Sequence, residues 1–422
     1  MLVRVKGKSV EGVVEAPPSK SFTHRALICA SLAEGESKVI NPSPCDDSFA
    51  TIKALKALGI ELSLMNSYVI ISGGNLSPKV GVIDCEESGT TLRLITGVSS
   101  LINHRIILTG GKSLLRRPIG ELVSALNKLG AKVMCRGDYP PVVSYGGFKG
   151  GVTDIRGDIS SQFISSLLLI SPLGGLETTL STYNAESKPY IFMTLEVQKA
   201  FGVNVKVNDD GNYLTFRIPN SSYRGTNYLV EGDWSSASYF LVAAAISGHV
   251  KVTNLNLSSL QADKEVLKVV KEFGASVMSN DNSVEVIGSR LEGFEYDVSD
   301  SPDLLPTLAV LAASAKGRSV IRGVGRCRLK ESDRVESTVA NLKALGVDVR
   351  VVDDGITIVG VDKVKSGIVN SYGDHRIAMA FSTLSLISDG GIVIEDPLCV
   401  SKSFPNFWNN LSNLGLDVEV IL

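Results

Sequence analysis

A helix that ends in glycine and runs straight into an alternating strand occurs six times along this chain. The copies are LKALGIELS, LNKLGAKVM, VQKAFGVNVKV, VVKEFGASVM, LKALGVDVRV and LSNLGLDVEV, with the glycine at Gly59, Gly130, Gly202, Gly274, Gly346 and Gly415. Successive spacings are 71, 72, 72, 72 and 69 residues. A period of this size marks a repeated structural unit. Each glycine sits where a helix needs a left-handed residue after its last turn, and the period-two apolar run behind it reads as a strand.

A second marker lies at another phase of the repeat. Asp158, Asp233, Asp303 and Asp374 follow one another at intervals of 75, 70 and 71 residues, and each precedes an apolar run. Asp or Ser before such a run is an N-cap signal, and the runs are apolar nearly all round, so these helices are expected inside a domain. SKSFTHRALICASLA and ESGTTLRLITGV fill the same slot in the first two units. The chain is therefore read as α/β, with six repeats of about 70 residues, two helices and several strands each. At ~150 residues per domain, the 422 residues make two domains of three repeats. Ala16-Pro17-Pro18 and the polar stretch 220–226 are the candidate crossovers, giving one domain from residues 1–16 plus 232–422 and another from 17–231.

Composition excludes several classes. The 42 Lys plus Arg against 44 Asp plus Glu leave a net charge of -2, so nothing attracts nucleic acid or anionic lipid globally. The longest apolar stretches, 304–315 and 239–246, fall short of the ~18 residues of a membrane span, and the N-terminus lacks a secretory apolar segment. A cytoplasmic chain is expected. Cys29, Cys45, Cys85, Cys135, Cys327 and Cys399 form no CxxC pair and the four histidines are scattered, so free buried thiols and no metal site are expected.

Cations gather at the starts of the apolar helices, where the helix dipole disfavours them by ~0.3–1 kcal/mol. Lys20 and Arg25, Arg116 and Arg117 before a proline expected at the first helical position (Pro118), Lys188, Lys330 and Arg334, His375 and Arg376, and Lys402 all fit this placement. Free N–H groups joined by Lys and Arg make a site for phosphate or carboxylate. Asp333 with Glu336 fits a capping box, which puts Lys330 and Glu331 at a loop–helix junction. Asp303 reads as an N-cap, and Ser88-Gly89-Thr90 suits either a plain helix start or close approach of an anion. GGKS at 110–113 lacks the first glycine of a P-loop, and GVG at 323–325 lacks the third of a dinucleotide fingerprint, so no nucleotide cofactor is expected.

The segments PSKSFTHRA, SGTTLR, RRPIGEL, GDISSQF, SKPY, VEGDWSSASYF, SPDLLPTLAVLA, RLKESDR, GDHRIAMAF and SKSFPNF, in this order and nearly end to end, resemble the 5-enolpyruvylshikimate-3-phosphate (EPSP) synthase family. That resemblance implies a two-domain inside-out α/β barrel, three repeats per domain, with its active site in the interdomain cleft. It implies a transferase of the shikimate pathway, serving chorismate and aromatic amino acid biosynthesis. The enolpyruvyl group of phosphoenolpyruvate would pass to the 5-hydroxyl of shikimate 3-phosphate by addition and elimination, with release of phosphate and without metal or cofactor.

By the same resemblance Lys20, Ser21, Arg25, Ser160, Ser161, Gln162, Ser187 and Tyr190, with Asp303 and Lys330, hold shikimate 3-phosphate. Lys20, Gly89, Arg117, Gln162, Arg334, Arg376 and Lys402 surround phosphoenolpyruvate. Asp303 faces the 5-hydroxyl, while Glu331 and Lys20 are the candidates for proton delivery to C3. A monomer with small-molecule partners alone is expected. Three residues depart from the family pattern. Glu87 stands where Asn is frequent, so its carboxylate must turn away or pair with a cation. Arg326 replaces a frequent Asn and Trp234 a frequent Ala; neither is assigned as a ligand. UDP-N-acetylglucosamine enolpyruvyl transferase shares the fold and transferred group but relies on a loop cysteine, absent from GGKSLLRRPIG. A non-catalytic anion-binding repeat scaffold would explain the cations but gives no reason for Asp303 and Glu331.

Overall fold

A computed structural model describes residues 1–211 and 213–421. The chain forms two compact units, Met1–Pro17 with Glu231–Leu422, and Pro18–Val230. Among the described residues twelve α-helices fall into six pairs, one pair per repeat. In the 18–230 unit these are α1 (Lys20–Leu32) and α2 (Asp46–Ala57), α3 (Gly89–Ser100) and α4 (Gly120–Lys128), α5 (Ser161–Ile170) and α6 (Lys188–Ala200). In the other unit they are α7 (Trp234–Ile246) and α8 (Val266–Glu272), α9 (Leu305–Ser314) and α10 (Arg334–Ala344), α11 (His375–Ser382) and α12 (Phe407–Asn413).

The odd-numbered helices are interior. All eight residues of α11 and twelve of the thirteen in α7 are buried, and both runs are apolar or small with few charges. Each large side chain so buried contributes about 1.5–3 kcal/mol. In the 18–230 unit the inner-helix residues that keep access to solvent are Lys20 and Ser21 of α1, Thr90 of α3 and Gln162 of α5. All four lie in a first turn, so α1, α3 and α5 meet water at their N-terminal ends.

The second helix of every pair ends as its sequence requires. The glycine after it has positive φ in all six copies, between 85° and 133°. The N–H one residue further returns to the carbonyl five residues back, as Ile60 to Leu55, Ala131 to Leu126 and Leu416 to Leu411 do. That six-to-one bond satisfies a carbonyl the helix leaves open and turns the chain into the next strand.

Each repeat closes with a sheet of one pattern. Its first strand runs parallel to the second, and the second and fourth strands lie antiparallel to the third. In the second repeat these are Val82–Asp84, Ile106–Thr109, Tyr139–Ser144 and Val133–Arg136. Three sheets recruit strands from far along the chain. Leu2–Lys6 lies between Ile392–Glu395 and Asp417–Ile421, Val10–Glu15 pairs with Gly248–Thr253, and Tyr223–Arg224 and Asn227–Leu229 pair with Ala33–Ile40. The polar stretch 220–226 is thus not a crossover: its backbone bonds to the first repeat's sheet as an edge strand, and the chain leaves that unit at Val230.

Other local expectations are corrected. Ser160, not Asp158, caps α5, because Asp158 pairs with Arg156 instead. Helix α4 starts two residues after Pro118, since the N–H groups of Ile119 and Gly120 both bond to the Asp138 carbonyl. Cys135 and Cys399 are only partly buried, whereas the other four cysteines are buried and all six are free. No helix of the described residues is long and apolar enough to cross a membrane.

Candidate active site

The residues expected to carry chemistry collect in two clusters, one in each unit. In the 18–230 unit, Ser19 caps α1 and the next residue, Lys20, places its ammonium 2.9 Å from Asp47 Oδ2 in the first turn of α2. Arg25, one turn along α1, ties three elements together. Its Nε donates to Thr194 Oγ1 at 2.8 Å, Nη1 to the Ser21 carbonyl at 2.8 Å, and Nη2 to Ser165 Oγ at 3.2 Å and the Tyr190 carbonyl at 2.9 Å. Burial lowers its pKa to about 10. With four of its five N–H groups engaged by protein, Arg25 is first a brace for α1, α5 and α6.

Gln162, the part-exposed residue of α5, accepts from Arg93 Nη1 at 2.6 Å and donates to Thr90 Oγ1 at 2.9 Å. The Arg93 guanidinium also lies 5.3 Å from the centre of the Phe163 ring. Arg93 is absent from the expected site residues although it ends the SGTTLR segment; with 4% exposure it braces Gln162 from behind. Arg117 follows the 3-10 turn Leu114–Arg116 and packs its guanidinium against Gly89, where an added Cβ would lie 2.5 Å from Nη1. Only glycine lets the cation approach the start of α3 this closely. Ser160 caps α5, Ser161 follows it in the first turn, and Ser187, buried in the left-handed region at φ 52°, precedes α6 and Tyr190.

The second cluster has Arg334 at its centre, with 1% of its side chain exposed. Its Nη1 lies 2.5 Å from Asp303 Oδ1, Nη2 2.8 Å from Glu331 Oε2 and Nε 2.8 Å from Asp374 Oδ2. Asp374 also caps α11 by accepting from the Arg376 N–H. Arg376 Nη2 reaches Asp303 Oδ2 at 2.7 Å, Lys330 Nζ stands 3.7 Å from Asp303 Oδ1, and Lys402 Nζ 4.0 Å from Glu331 Oε1. Four cations thus meet three carboxylates, and a further anion is electrostatically favoured there.

Asp303 is not an N-cap. It sits inside the 3-10 turn Pro302–Leu304, and α9 begins only at Leu305, so its carboxylate is turned to side chains instead of backbone. Burial pushes its pKa up, but Arg376, Lys330 and Arg334 outweigh this and hold the carboxyl well below the usual range. Lys330 moves the other way: burial, with Arg326 and Arg334 adding, outweighs Asp303 and lowers it to about 8. Lys330 and Lys402 also sit at the ends of 3-10 segments, not at α-helix starts. The capping box is half made, because Asp333 accepts from Glu336 N–H while the Glu336 carboxylate turns to Arg328.

The EPSP synthase (3-phosphoshikimate 1-carboxyvinyltransferase) family model matches residues 5–411. The chain belongs to the EPSP synthase family. It is 42% identical over 415 residues to the 3-phosphoshikimate 1-carboxyvinyltransferase of Methanothermobacter thermautotrophicus, covering 97% of each chain. It is 40% identical over 429 residues to that of Methanocaldococcus jannaschii, covering 100% of this chain and 99% of the relative. Among solved structures, EPSP synthase from Acinetobacter baumannii is similar over 100% of both chains, with a TM-score of 0.82 at 28% identity. The two-domain inside-out architecture is that of EPSP synthase, and the chain is a transferase.

Against that family pattern, Glu87 is resolved by geometry. Among the described residues its carboxylate pairs with no cation; it accepts from the Ser113 hydroxyl and, at 3.0 Å, from the Leu114 N–H. Trp234 is fully buried and its indole donates to the Asn256 carbonyl at 3.0 Å, a packing role in the first turn of α7. Arg326 is 6% exposed and close enough to Lys330 to weaken its hold on a proton.

Proposed function

We propose that this chain transfers the enolpyruvyl group of phosphoenolpyruvate to the 5-hydroxyl of shikimate 3-phosphate and releases phosphate. The placement of Asp303 supports this most strongly: a carboxylate kept ionised by Arg376, Lys330 and Arg334, among cations whose charge exceeds that of their carboxylate partners. A scaffold that only binds anions has no use for such a group.

The residues divide as follows. Lys20, Ser21, Arg25, Ser160, Ser161, Gln162, Ser187 and Tyr190 hold shikimate 3-phosphate, with Lys330 and Asp303 contributing. Lys20, Gly89, Arg117, Gln162, Arg334, Arg376 and Lys402 hold phosphoenolpyruvate. In the addition step the 5-hydroxyl oxygen bonds to C2 of phosphoenolpyruvate, its proton passes to Asp303, and C3 takes a proton from Lys20 or Glu331. Elimination then returns a proton from C3 and expels phosphate, leaving the enol ether.

The electrostatics explain how a strongly acidic Asp303 serves as a base. In the free chain three cations hold its pKa down. An anion on Arg334 and Arg376 offsets part of their charge, so the carboxylate becomes more basic when substrate is in place. The same cations stabilise charge developing on the departing phosphate. The chain is further proposed to act as a cytoplasmic monomer.

Phosphate release from phosphoenolpyruvate is the test. Turnover with shikimate 3-phosphate and none with UDP-N-acetylglucosamine supports the reading; the reverse assigns the chain to the other enolpyruvyl transfer, and no release with either leaves a binding protein.

A further inference from the structure

Glu87 stands two residues before Gly89, beside a start of helix that the proposed function gives to an anionic substrate. A carboxylate facing that anion would oppose binding. The side chain instead turns back on the strap 110–117, and the donors that meet it there, the Ser113 hydroxyl and the Leu114 N–H, are uncharged. Leu114 opens the 3-10 turn, so its N–H has no partner within the turn, and its side chain is fully buried.

Two further contacts dock the same strap. The Gly111 N–H bonds to the Glu86 carbonyl at 2.6 Å, and Gly111 packs so closely on the Glu87 carboxylate that a Cβ there would collide with Oε1. At the other end of the turn, the Leu114 carbonyl accepts from the Arg117 N–H at 3.0 Å. One residue, Leu114, therefore joins the Glu87 carboxylate on its N–H side to Arg117 on its carbonyl side, and Arg117 lies over Gly89.

We infer that Glu87 is a positioning residue: by fastening the 3-10 turn 114–116 it sets the Arg117 guanidinium over the N-terminus of α3. It acts through Arg117 and touches no substrate. The inference rests on the proposed function only for what Arg117 binds; the fastening itself is independent of it.

Kinetics and hydrogen exchange test the two parts separately. Glu87→Ala is expected to raise KM for phosphoenolpyruvate about tenfold, the scale of one hydrogen bond to a charged group. KM for shikimate 3-phosphate and kcat should stay within about twofold. Glu87→Gln keeps an oxygen for Ser113 and Leu114 and should restore KM to within about threefold of the parent. In an Arg117→Ala background, Glu87→Ala should add nothing, because both changes remove one effect. Equal rises in both KM values, or full additivity with Arg117→Ala, would overturn the positioning role. Amide exchange across residues 110–117 reads the strap without turnover: it should quicken in Glu87→Ala and not in Glu87→Gln, and unchanged exchange in Glu87→Ala sinks the inference even if the enzyme is active. A parent that releases no phosphate, with exchange that still responds, would instead refute the proposed function.

Discussion

Arg334 Nε and Asp374 Oδ2 lie 2.8 Å apart with 1% and 0% of their side chains exposed. The same aspartate caps the helix that begins with His375 and Arg376. One buried carboxylate therefore aligns two of the cations that line the cluster. Removing it leaves Arg334 short of a counter-charge in a site with little water. We predict that Asp374→Ala destabilises the 231–421 region by about 3–5 kcal/mol, the cost of breaking a buried pair on one side. Denaturant unfolding followed by near-ultraviolet circular dichroism checks this; a loss under ~1 kcal/mol would mean that Arg334 finds other partners.

Asp303 caps no helix, and an asparagine there keeps an oxygen for Arg334 or Arg376, so Asp303→Asn removes the charge with little change in shape. We predict that Asp303→Asn lowers kcat by about 10²-fold or more, the usual scale for a general base. Phosphoenolpyruvate should bind at least as tightly, because the change removes a negative charge from among Arg334, Arg376 and Lys330. Steady-state kinetics with calorimetric binding would show it, and weaker binding at unchanged kcat would move Asp303 out of the mechanism.

Lys330 should make activity fall in alkali. Its folded pKa of about 8 means that it is charged below that pH and neutral above it. Attraction for shikimate 3-phosphate is then lost as pH rises through about 8, so kcat/KM for that substrate should drop there. The stability sign is opposite. Between about 8 and the ordinary value of 10.5 the unfolded chain holds the proton that the folded chain has released, so this group's contribution to stability rises with pH. Lys330→Arg, which keeps its charge, should move the alkaline limb of the kcat/KM profile upward; an unmoved limb would assign it to another group.

His24 is predicted to make the 18–230 unit acid-sensitive. The ring is buried, bonded through Nδ1 to Thr51 Oγ1 at 2.7 Å, and pushed down to about 3, chiefly by burial, with Asp47 opposing and Lys20 and Arg25 adding. The unfolded chain takes up a proton near 6.5 and the folded chain only near 3, so stability falls as pH drops through that window. The loss is on the order of 5 kcal/mol over the whole window. Unfolding midpoints at pH 7 and pH 4 should differ less in His24→Gln than in the parent; identical pH slopes would show that His24 is not the source.

What could be read from residues alone follows the range of the interaction. Gly59 and its five counterparts announce themselves because the residue after a helix must adopt positive φ, a constraint local to one turn. The buried inner helices are equally legible, since their apolar residues lie together in the chain. Pairings set by distant partners are not. Nothing near Leu2–Lys6 names Asp417–Ile421 as its neighbour, and the polar 220–226 stretch looks like a linker until its backbone is seen against Ala33–Ile40. At the candidate site, Arg334, Arg376, Lys330 and Lys402 were legible as cations. Glu331 is local to Arg334, but that Asp303 and Asp374 would make Arg334 the buried centre of three carboxylates, and that Arg93 would brace Gln162, depended on contacts 31, 40 and 69 residues apart.

The N-terminal strand has a consequence in time. A ribosome working at ~5–20 residues per second completes Asp417–Ile421 on the order of 20–80 s after it has made Leu2–Lys6. Meanwhile residues 18–230 emerge with every strand of their own three sheets, while the leading segment waits without its sheet. Such a segment invites the wrong neighbours. Its sequence answers that hazard: Arg4, Lys6, Lys8, Glu11 and Glu15, all exposed in the finished fold, alternate with or flank the buried Val3, Val5, Val10 and Val14. Arg4 pairs with Glu419 at 3.3 Å across the finished sheet, and until that partner is made the same charges are of the kind that oppose pairing with a wrong edge.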